Sequence, residues 1–322
     1  MARSCHRKLL HLALTFVVFA FSTGAHAAAK KQASAKTTPA RSAALKPASK
    51  PAPAPAEPKP SPAPLAPGEL PLIAEAAALL DVQTGDFIYQ KNPDDIHYPA
   101  STTKILTALL IIEAGDLDKL VTIEIADTKV EPSALDVKPG EQYPRRHLLY
   151  ALLLKSANDV AMCLARDNAG SVAAFAEKMT LRAEQLGATN SHFTNPHGLH
   201  DTHHYTTAGD LARITLAAMK NPIFREIVAT PEAWLLKGDQ FVQLRNHNKL
   251  LWRFPGCTGC KTGFTNAARQ TLVSSATRQG REVISVVLKT NPVGMWSDST
   301  SLLLYGFERL GLSESAADSA AR

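Results

Sequence analysis

Ile73-Ala74-Glu75-Ala76-Ala77-Ala78-Leu79-Leu80-Asp81 and, a few residues on, Asp86-Phe87-Ile88-Tyr89-Gln90 form the stretch on which the fold turns. They read as two strands joined at Gln83-Thr84-Gly85, a hairpin signal. Strand character returns only towards the other end of the chain, in residues 260–262, 270–277 and 283–289. Between these ends the apolar spacing is helical, over residues 102–114, 146–154, 159–167, 171–186 and 207–219, and residues 302–310 read as a last helix. Strands at both ends with helices between predict a mixed α/β fold. One antiparallel sheet is formed by both chain ends, with helices packed on it and a helical middle. No repeat of fixed period is visible.

Moving outward from this domain, residues 1–70 have a different composition. Arg3, Arg7 and Lys8 precede an apolar run over residues 9–21, and Ala25-His26-Ala27 supplies small residues at a cleavage spacing. That is the pattern of a secretory signal over residues 1–27, and the run is short for a span of roughly 20 apolar residues. Residues 28–70 hold ten of the chain's 21 prolines, interleaved with Ala and Lys. Each proline removes a donor and fixes φ, so a basic, Pro/Ala-rich disordered linker of polyproline II type is expected. The first 70 residues carry 10 Lys/Arg against 2 Asp/Glu, and the other 252 carry 25 against 27. The net +6 therefore belongs to the arm and not to the domain, which argues against a nucleic-acid partner.

The chemistry begins at Pro99-Ala100-Ser101-Thr102-Thr103-Lys104. Ser101 is expected to open a helix, with Lys104 about one turn on and on the same face. A serine hydroxyl is a weak nucleophile that needs a base, and a lysine serves once it loses its proton. Burial and a neighbouring cation both favour that loss. Ser156-Ala157-Asn158 follows an apolar helix, and Cys260-Lys261-Thr262-Gly263-Phe264-Thr265 reads as a strand ending in a turn. A cation at Lys261 can depress Lys104 and attract a carboxylate. Thr262 can hydrogen-bond that carboxylate, and Gly263 leaves room for a ligand along the strand.

These three motifs, in this order, resemble those of the penicillin-recognising serine enzymes, S-x-x-K, S-x-N and K-T-G. The nearest likeness is to the D-alanyl-D-alanine carboxypeptidases among the low-molecular-mass penicillin-binding proteins. Supporting stretches are Phe193-Thr194-Asn195-Pro196-His197-Gly198-Leu199 and Asn246-His247-Asn248-Lys249-Leu250. The resemblance implies a β-lactamase/transpeptidase-like fold, with the catalytic domain over residues 71–311 and a short tail over 312–322. It implies Ser101 as nucleophile, Lys104 as its base and Ser156 as proton relay to the leaving amine. Asn158 would position substrate and Lys104, Lys261 and Thr262 would hold the terminal carboxylate, and the Ser101 and Phe264 N–H groups would form an oxyanion hole. The expected substrates are peptidoglycan stem peptides, with β-lactams as covalent inhibitors and no cofactor. The expected place of action is the periplasm or cell-wall space, with membrane contact only if the signal segment stays uncleaved. Many relatives continue into a C-terminal β-rich domain and an anchor helix; only residues 311–322 follow the last helix here. No arginine stands in residues 290–296, where some members place one for the carboxylate.

Three alternatives stand beside this reading. The short ending also resembles the wall endopeptidases, which cleave crosslinks. A non-catalytic wall-binding module would leave the intact motifs unexplained. A β-lactamase would need a deacylation base, and no Glu-x-x-x-Asn loop lies between Asn158 and Lys261. His197, His200, His203 and His204 with Asp201 look like a metal cluster, but their loop lacks the i, i+4 spacing of helical ligands, and no metal is expected. Cys257 and Cys260 form a C-x-x-C, open to a local disulfide or two buried thiols in an exported protein.

Overall fold

The computed structural model describes residues 68–130 and 132–312, so the signal and linker segments and nearly all of the tail lie outside the described residues. The chain opens with β1 (Ala76–Asp81) and β2 (Phe87–Lys91). A 3-10 turn (Ala100–Thr103) leads into α1 (Lys104–Glu113), followed by a small hairpin of β3 (Leu120–Thr122) and β4 (Gln142–Pro144). The helical middle comprises α2 (Arg145–Tyr150), running into a π-type turn (Ala151–Lys155), α3 (Asn158–Ala169), α4 (Val172–Gln185), α5 (Ala208–Met219) and α6 (Pro222–Ala229). A second hairpin, β5 (Glu232–Lys237) and β6 (Gln240–Arg245), and the short α7 (Leu250–Arg253) precede β7 (Cys257–Thr265), β8 (Arg269–Arg278), β9 (Arg281–Thr290) and α8 (Gly294–Arg309).

Both chain ends build one five-stranded antiparallel sheet in the order β2-β1-β9-β8-β7. Its central strands β1, β9 and β8 are buried on both faces, and the two-residue period sorts them. Ala76, Ala78 and Leu80 of β1 with Ile284, Val286 and Leu288 of β9 face the larger core, which holds α1, α3 and α5. Ala77, Leu79, Val283 and Val287 face a smaller core closed by Leu302, Leu303 and Phe307 of α8.

α1 is the centre of the larger core. Every residue from Lys104 to Ile112 is buried, as suits a helix that is apolar on all sides. The side chains of Ile105, Leu106, Leu109 and Ile111 each contribute roughly 1.5–3 kcal/mol by burial.

Helix starts follow the side-chain caps: Ser171 accepts from Ala174 N–H and Thr207 from Asp210 N–H, while Gly170 ends α3 with φ of +77°. Three local expectations are corrected. Ser101 does not open an α-helix: it lies in the 3-10 turn, because Ala100 turns sharply at φ +50° and Thr102 bonds back to the Pro99 carbonyl. The last helix begins at Gly294 and not at residue 302, because the Asn291 side chain caps Val293 and Gly294 N–H and the buried Asp298 accepts from Ala74 N–H. The first strand begins at Ala76 rather than residue 73.

Candidate active site

The sheet edge at β7, the start of α1 and the turn before α3 meet at a cleft of about 300 Å³ lined by Ser101, Ser156, Thr262, Gly263 and Phe264. Pro132, Ser133, His247, Gln270, Met295 and Trp296 complete its wall. Lys104 and Lys261 lie fully buried behind it, and Asn158 is buried beside them.

Lys104 Nζ is 3.1 Å from Ser101 Oγ, 2.7 Å from Asn158 Oδ1 and 2.7 Å from the His197 carbonyl. The Asn158 amide is fixed the right way round, since its Nδ2 donates to the Pro132 carbonyl and only Oδ1 is left for the lysine. Asn158 and the His197 carbonyl only accept from the amine. A neutral amine therefore spends both N–H bonds on them and keeps its lone pair for the Ser101 hydroxyl. Electrostatics favour this form: desolvation, and then the charge of Lys261, hold Lys104 well below the ordinary lysine range, with Asp159 opposing. Desolvation also lowers Lys261, to about 7, and its Nζ donates to the Thr262 carbonyl at 3.0 Å.

Ser156 closes the π-type turn in a left-handed conformation, φ +64°, which costs a non-glycine residue about 1 kcal/mol or more. Its buried Oγ has no hydrogen-bond partner among the described residues and lines the cleft. A hydroxyl held in that way is available to a ligand. The loop over residues 132–137 that faces it is tied to α3 by Asp159, whose carboxylate accepts from Leu135 and Val137 N–H. From the other side Lys237 of β5 donates to the Leu135 and Asp136 carbonyls.

Two glycines permit close approaches. A Cβ on Gly263 would lie 2.4 Å from Thr271 Oγ1 and 2.9 Å from Ser101 N, and Thr271 is itself pinned by its bond to the Pro99 carbonyl. β7 can therefore press against the nucleophile's backbone only with glycine there. Gly263→Ala is expected to push the strand away and slow acylation by β-lactams about 100-fold, the effect of a roughly 1 Å misplacement. A rate within two-fold of wild type, roughly 0.4 kcal/mol, would show that the approach does not matter. Gly198, with φ +86°, packs directly on the Ala100 carbonyl and so seats the loop that offers the His197 carbonyl to Lys104.

The structure thus brings Ser101, Lys104, Ser156, Asn158, Lys261, Thr262, Gly263 and Phe264 to one place. Pattern reading did not single out the His197 carbonyl, His247 or Trp296. The first is a backbone acceptor with no residue-type trace. Two of the four histidines at 197–204 hold the loop together: Leu199 N–H donates to His197 Nδ1, and His204 accepts from Thr194 N–H while its Nε2 meets Thr103 Oγ1 at 2.8 Å. Burial lowers these two rings to about 3 and about 4, so both stay neutral. Cys257 and Cys260 are free thiols, pushed up to about 11 and about 12 by burial, and Cys260 Sγ rests 3.6 Å from Met219 Sδ.

Residues 64–291 match the peptidase family S11 described as D-alanyl-D-alanine carboxypeptidase. A D-alanyl-D-alanine carboxypeptidase of Mycobacterium tuberculosis is 38% identical over 240 residues, 73% of this chain and 82% of that protein. A D-alanyl-D-alanine endopeptidase of Pseudomonas aeruginosa is 33% identical over 67% of this chain and 71% of its own length. Among solved structures, a D-alanyl-D-alanine carboxypeptidase of Mycobacterium tuberculosis superposes with a TM-score of 0.71 at 37% identity, covering 75% of this chain and 94% of that one.

Proposed function

The chain belongs to the D-alanyl-D-alanine carboxypeptidase family of peptidases, and from that premise we propose the roles of its residues in the reaction. The protein is a serine-type D-Ala-D-Ala carboxypeptidase that acts on peptidoglycan stem peptides and is acylated by β-lactams. Lys104 takes the Ser101 proton as Oγ attacks the carbonyl of the penultimate D-alanine. The Ser101 and Phe264 N–H groups face the developing oxyanion, where one such donor is typically worth about 3–4 kcal/mol. Ser156 passes a proton to the departing D-alanine amine, and Lys261 with Thr262 holds the terminal carboxylate. Water then hydrolyses the ester on Ser101. The observation that carries this reading is the buried Lys104 amine, whose acceptor-only partners leave its lone pair for Ser101. Mass analysis of pentapeptide muropeptides after incubation is expected to show loss of one D-alanine. Unchanged pentapeptide would defeat the assignment.

The pH dependence follows from the two lysines. Lys104 must be neutral, and its lowered pKa makes the active fraction rise as pH climbs through a value well below the ordinary lysine range. Lys261 must be charged to hold a carboxylate, and in the free enzyme that charge is lost as pH rises through about 7. Since kcat/KM reports the free enzyme, a carboxylate-bearing substrate is expected to give a bell whose falling limb lies near 7. A substrate with that carboxylate esterified should lack the falling limb. The same limb in both substrates would remove Lys261 from carboxylate binding.

The basic, apolar and small-residue order of residues 1–27 supports export to the periplasm or cell-wall space, with the arm over residues 28–70 as a spacer. The mature protein is then expected to start at Ala28, and an intact Met1 in the exported protein would point instead to membrane tethering.

A further inference from the structure

β5 and β6 pair only with each other, and the two faces of their hairpin differ. The pairs Ala233–Leu244, Leu235–Val242 and Lys237–Gln240 alternate with Glu232–Arg245, Trp234–Gln243 and Leu236–Phe241. The first set is held against the domain: Leu235 and Leu244 are buried, and Lys237 donates to the Leu135 and Asp136 carbonyls. The second set is uncovered. Phe241 is 69% exposed, Trp234 64% and Leu236 51%. Leu236 and Phe241 stand directly opposite each other, and Trp234 is the next residue on that face of β5, so the three make one apolar patch. A contiguous exposed patch of this kind marks an interaction site.

The end of the patch towards α7 is basic. Arg245 closes the exposed row of β6, and its guanidinium lies 5.2 Å over the ring of Trp252, itself exposed. Arg245, Lys249, Trp252 and Arg253 line one open groove of about 470 Å³. Among the described residues Lys249 and Arg253 have no carboxylate partner. Arg245 has one loose pair, 3.5 Å from Glu232, whose carboxylate also accepts from Gln243 at 2.9 Å. The other acid of the hairpin, Asp239, lies in the turn past the last pair. Phe241 and Arg245 are four residues apart on one strand, roughly 14 Å at 3.4 Å per residue. Apolar patch and basic rim therefore form one surface.

A sugar chain, a second copy of the protein and a lipid surface are the occupants to weigh. A sugar stacks on open ring faces, but Leu236 offers none and Arg245 covers that of Trp252. A second copy presenting the same face would set Arg245, Lys249 and Arg253 near their own counterparts, and like charges oppose such pairing. An anionic bilayer matches both halves of the surface: apolar and indole side chains suit the acyl boundary, and cations suit the phosphates.

We propose that the exposed face of the β5–β6 hairpin docks on an anionic phospholipid bilayer, with Trp234, Leu236 and Phe241 entering the acyl boundary and Arg245, Lys249 and Arg253 meeting lipid phosphates. The contact belongs to the catalytic domain itself and does not require the signal segment to stay attached. The hairpin needs no refolding to make it, because its inner face is already packed.

The test adds the full-length protein to vesicles of equal parts phosphatidylglycerol and phosphatidylcholine whose acyl chains carry bromine, a short-range quencher of tryptophan. Residues 1–70 contain no tryptophan, so the emission reports the domain and not the arm. Wild-type emission is expected to be quenched, and pure phosphatidylcholine should require about ten-fold more lipid or worse for half the effect. Leu236→Glu/Phe241→Glu should abolish most of the quenching, with penicillin labelling within about two-fold. Trp234→Phe keeps the patch apolar and should lose at least half of the quenching, which places the signal on the hairpin. Arg245→Gln/Arg253→Gln should raise the lipid needed for half-quenching about ten-fold or more, and higher salt should narrow that gap. Unquenched wild-type emission, or quenching unchanged in the Leu236→Glu/Phe241→Glu variant, would overturn the proposal. A dimer, or retention on wall sacculi, that this variant abolishes while vesicles leave the emission unchanged would give the face to a second copy or to glycan instead.

Discussion

Ser101→Ala is expected to show no covalent labelling by fluorescent penicillin and no measurable release of D-alanine. Loss of the nucleophile in a serine peptidase of this logic costs about a million-fold in kcat. The fold should survive. The substitution removes one hydrogen bond at the cleft surface, and the Lys104 amine keeps Asn158 Oδ1 and the His197 carbonyl as acceptors. Such a loss is worth about 1 kcal/mol, and thermal unfolding checks it. Labelling retained in the folded variant would remove Ser101 as nucleophile.

The second large effect is at Lys104. Lys104→Arg keeps the charge, but a guanidinium does not release its proton in the working pH range. Acylation is expected to fall by at least about 100-fold, the low end of what a general base supplies. Because Lys104 is fully buried, the larger arginine can also disturb the packing of α1. Lys104→Gln, smaller and uncharged, separates the two causes: it should fold and be equally slow. Stopped-flow acylation by a chromogenic β-lactam reads both variants. In the wild type the rate should rise with pH through a value well below the ordinary lysine range, following the desolvation and the Lys261 charge that lower Lys104. A near-normal rate in either variant would leave Lys104 no part as proton acceptor.

Much of the sheet and the helical middle could be read in the sequence because their signals are local. β1 is a continuous apolar run and β9 one broken only by Ser285, both buried on both faces, and α4 and α5 start at Ser171 and Thr207, the residues that cap them. The site residues are legible for a chemical reason: a hydroxyl, an amine three residues on, and a second cation on a strand edge are what acyl transfer requires.

Some of what the pattern did not give was short, some was not written in side chains, and some carried a signal that went unread. β3 and β4 have three residues each, too few for alternation to register. α6 carried a usable signal, Asn221 capping and Pro222 in the first turn, as did the turn at Gly238-Asp239 between β5 and β6. That hairpin matters to the site, since Lys237 holds the loop that orients Asn158. The His197 carbonyl is different in kind. Its place depends on Gly198 fitting against the Ala100 carbonyl, a contact between segments 98 residues apart that no local pattern encodes.

The most direct test of the account is to quench the enzyme during turnover of a D-Ala-D-Ala peptide and map the trapped adduct by mass spectrometry. The account predicts an acyl group one D-alanine shorter than the substrate, attached through an ester to Ser101. An adduct on any other residue, or turnover with no adduct at any quench time, would contradict it.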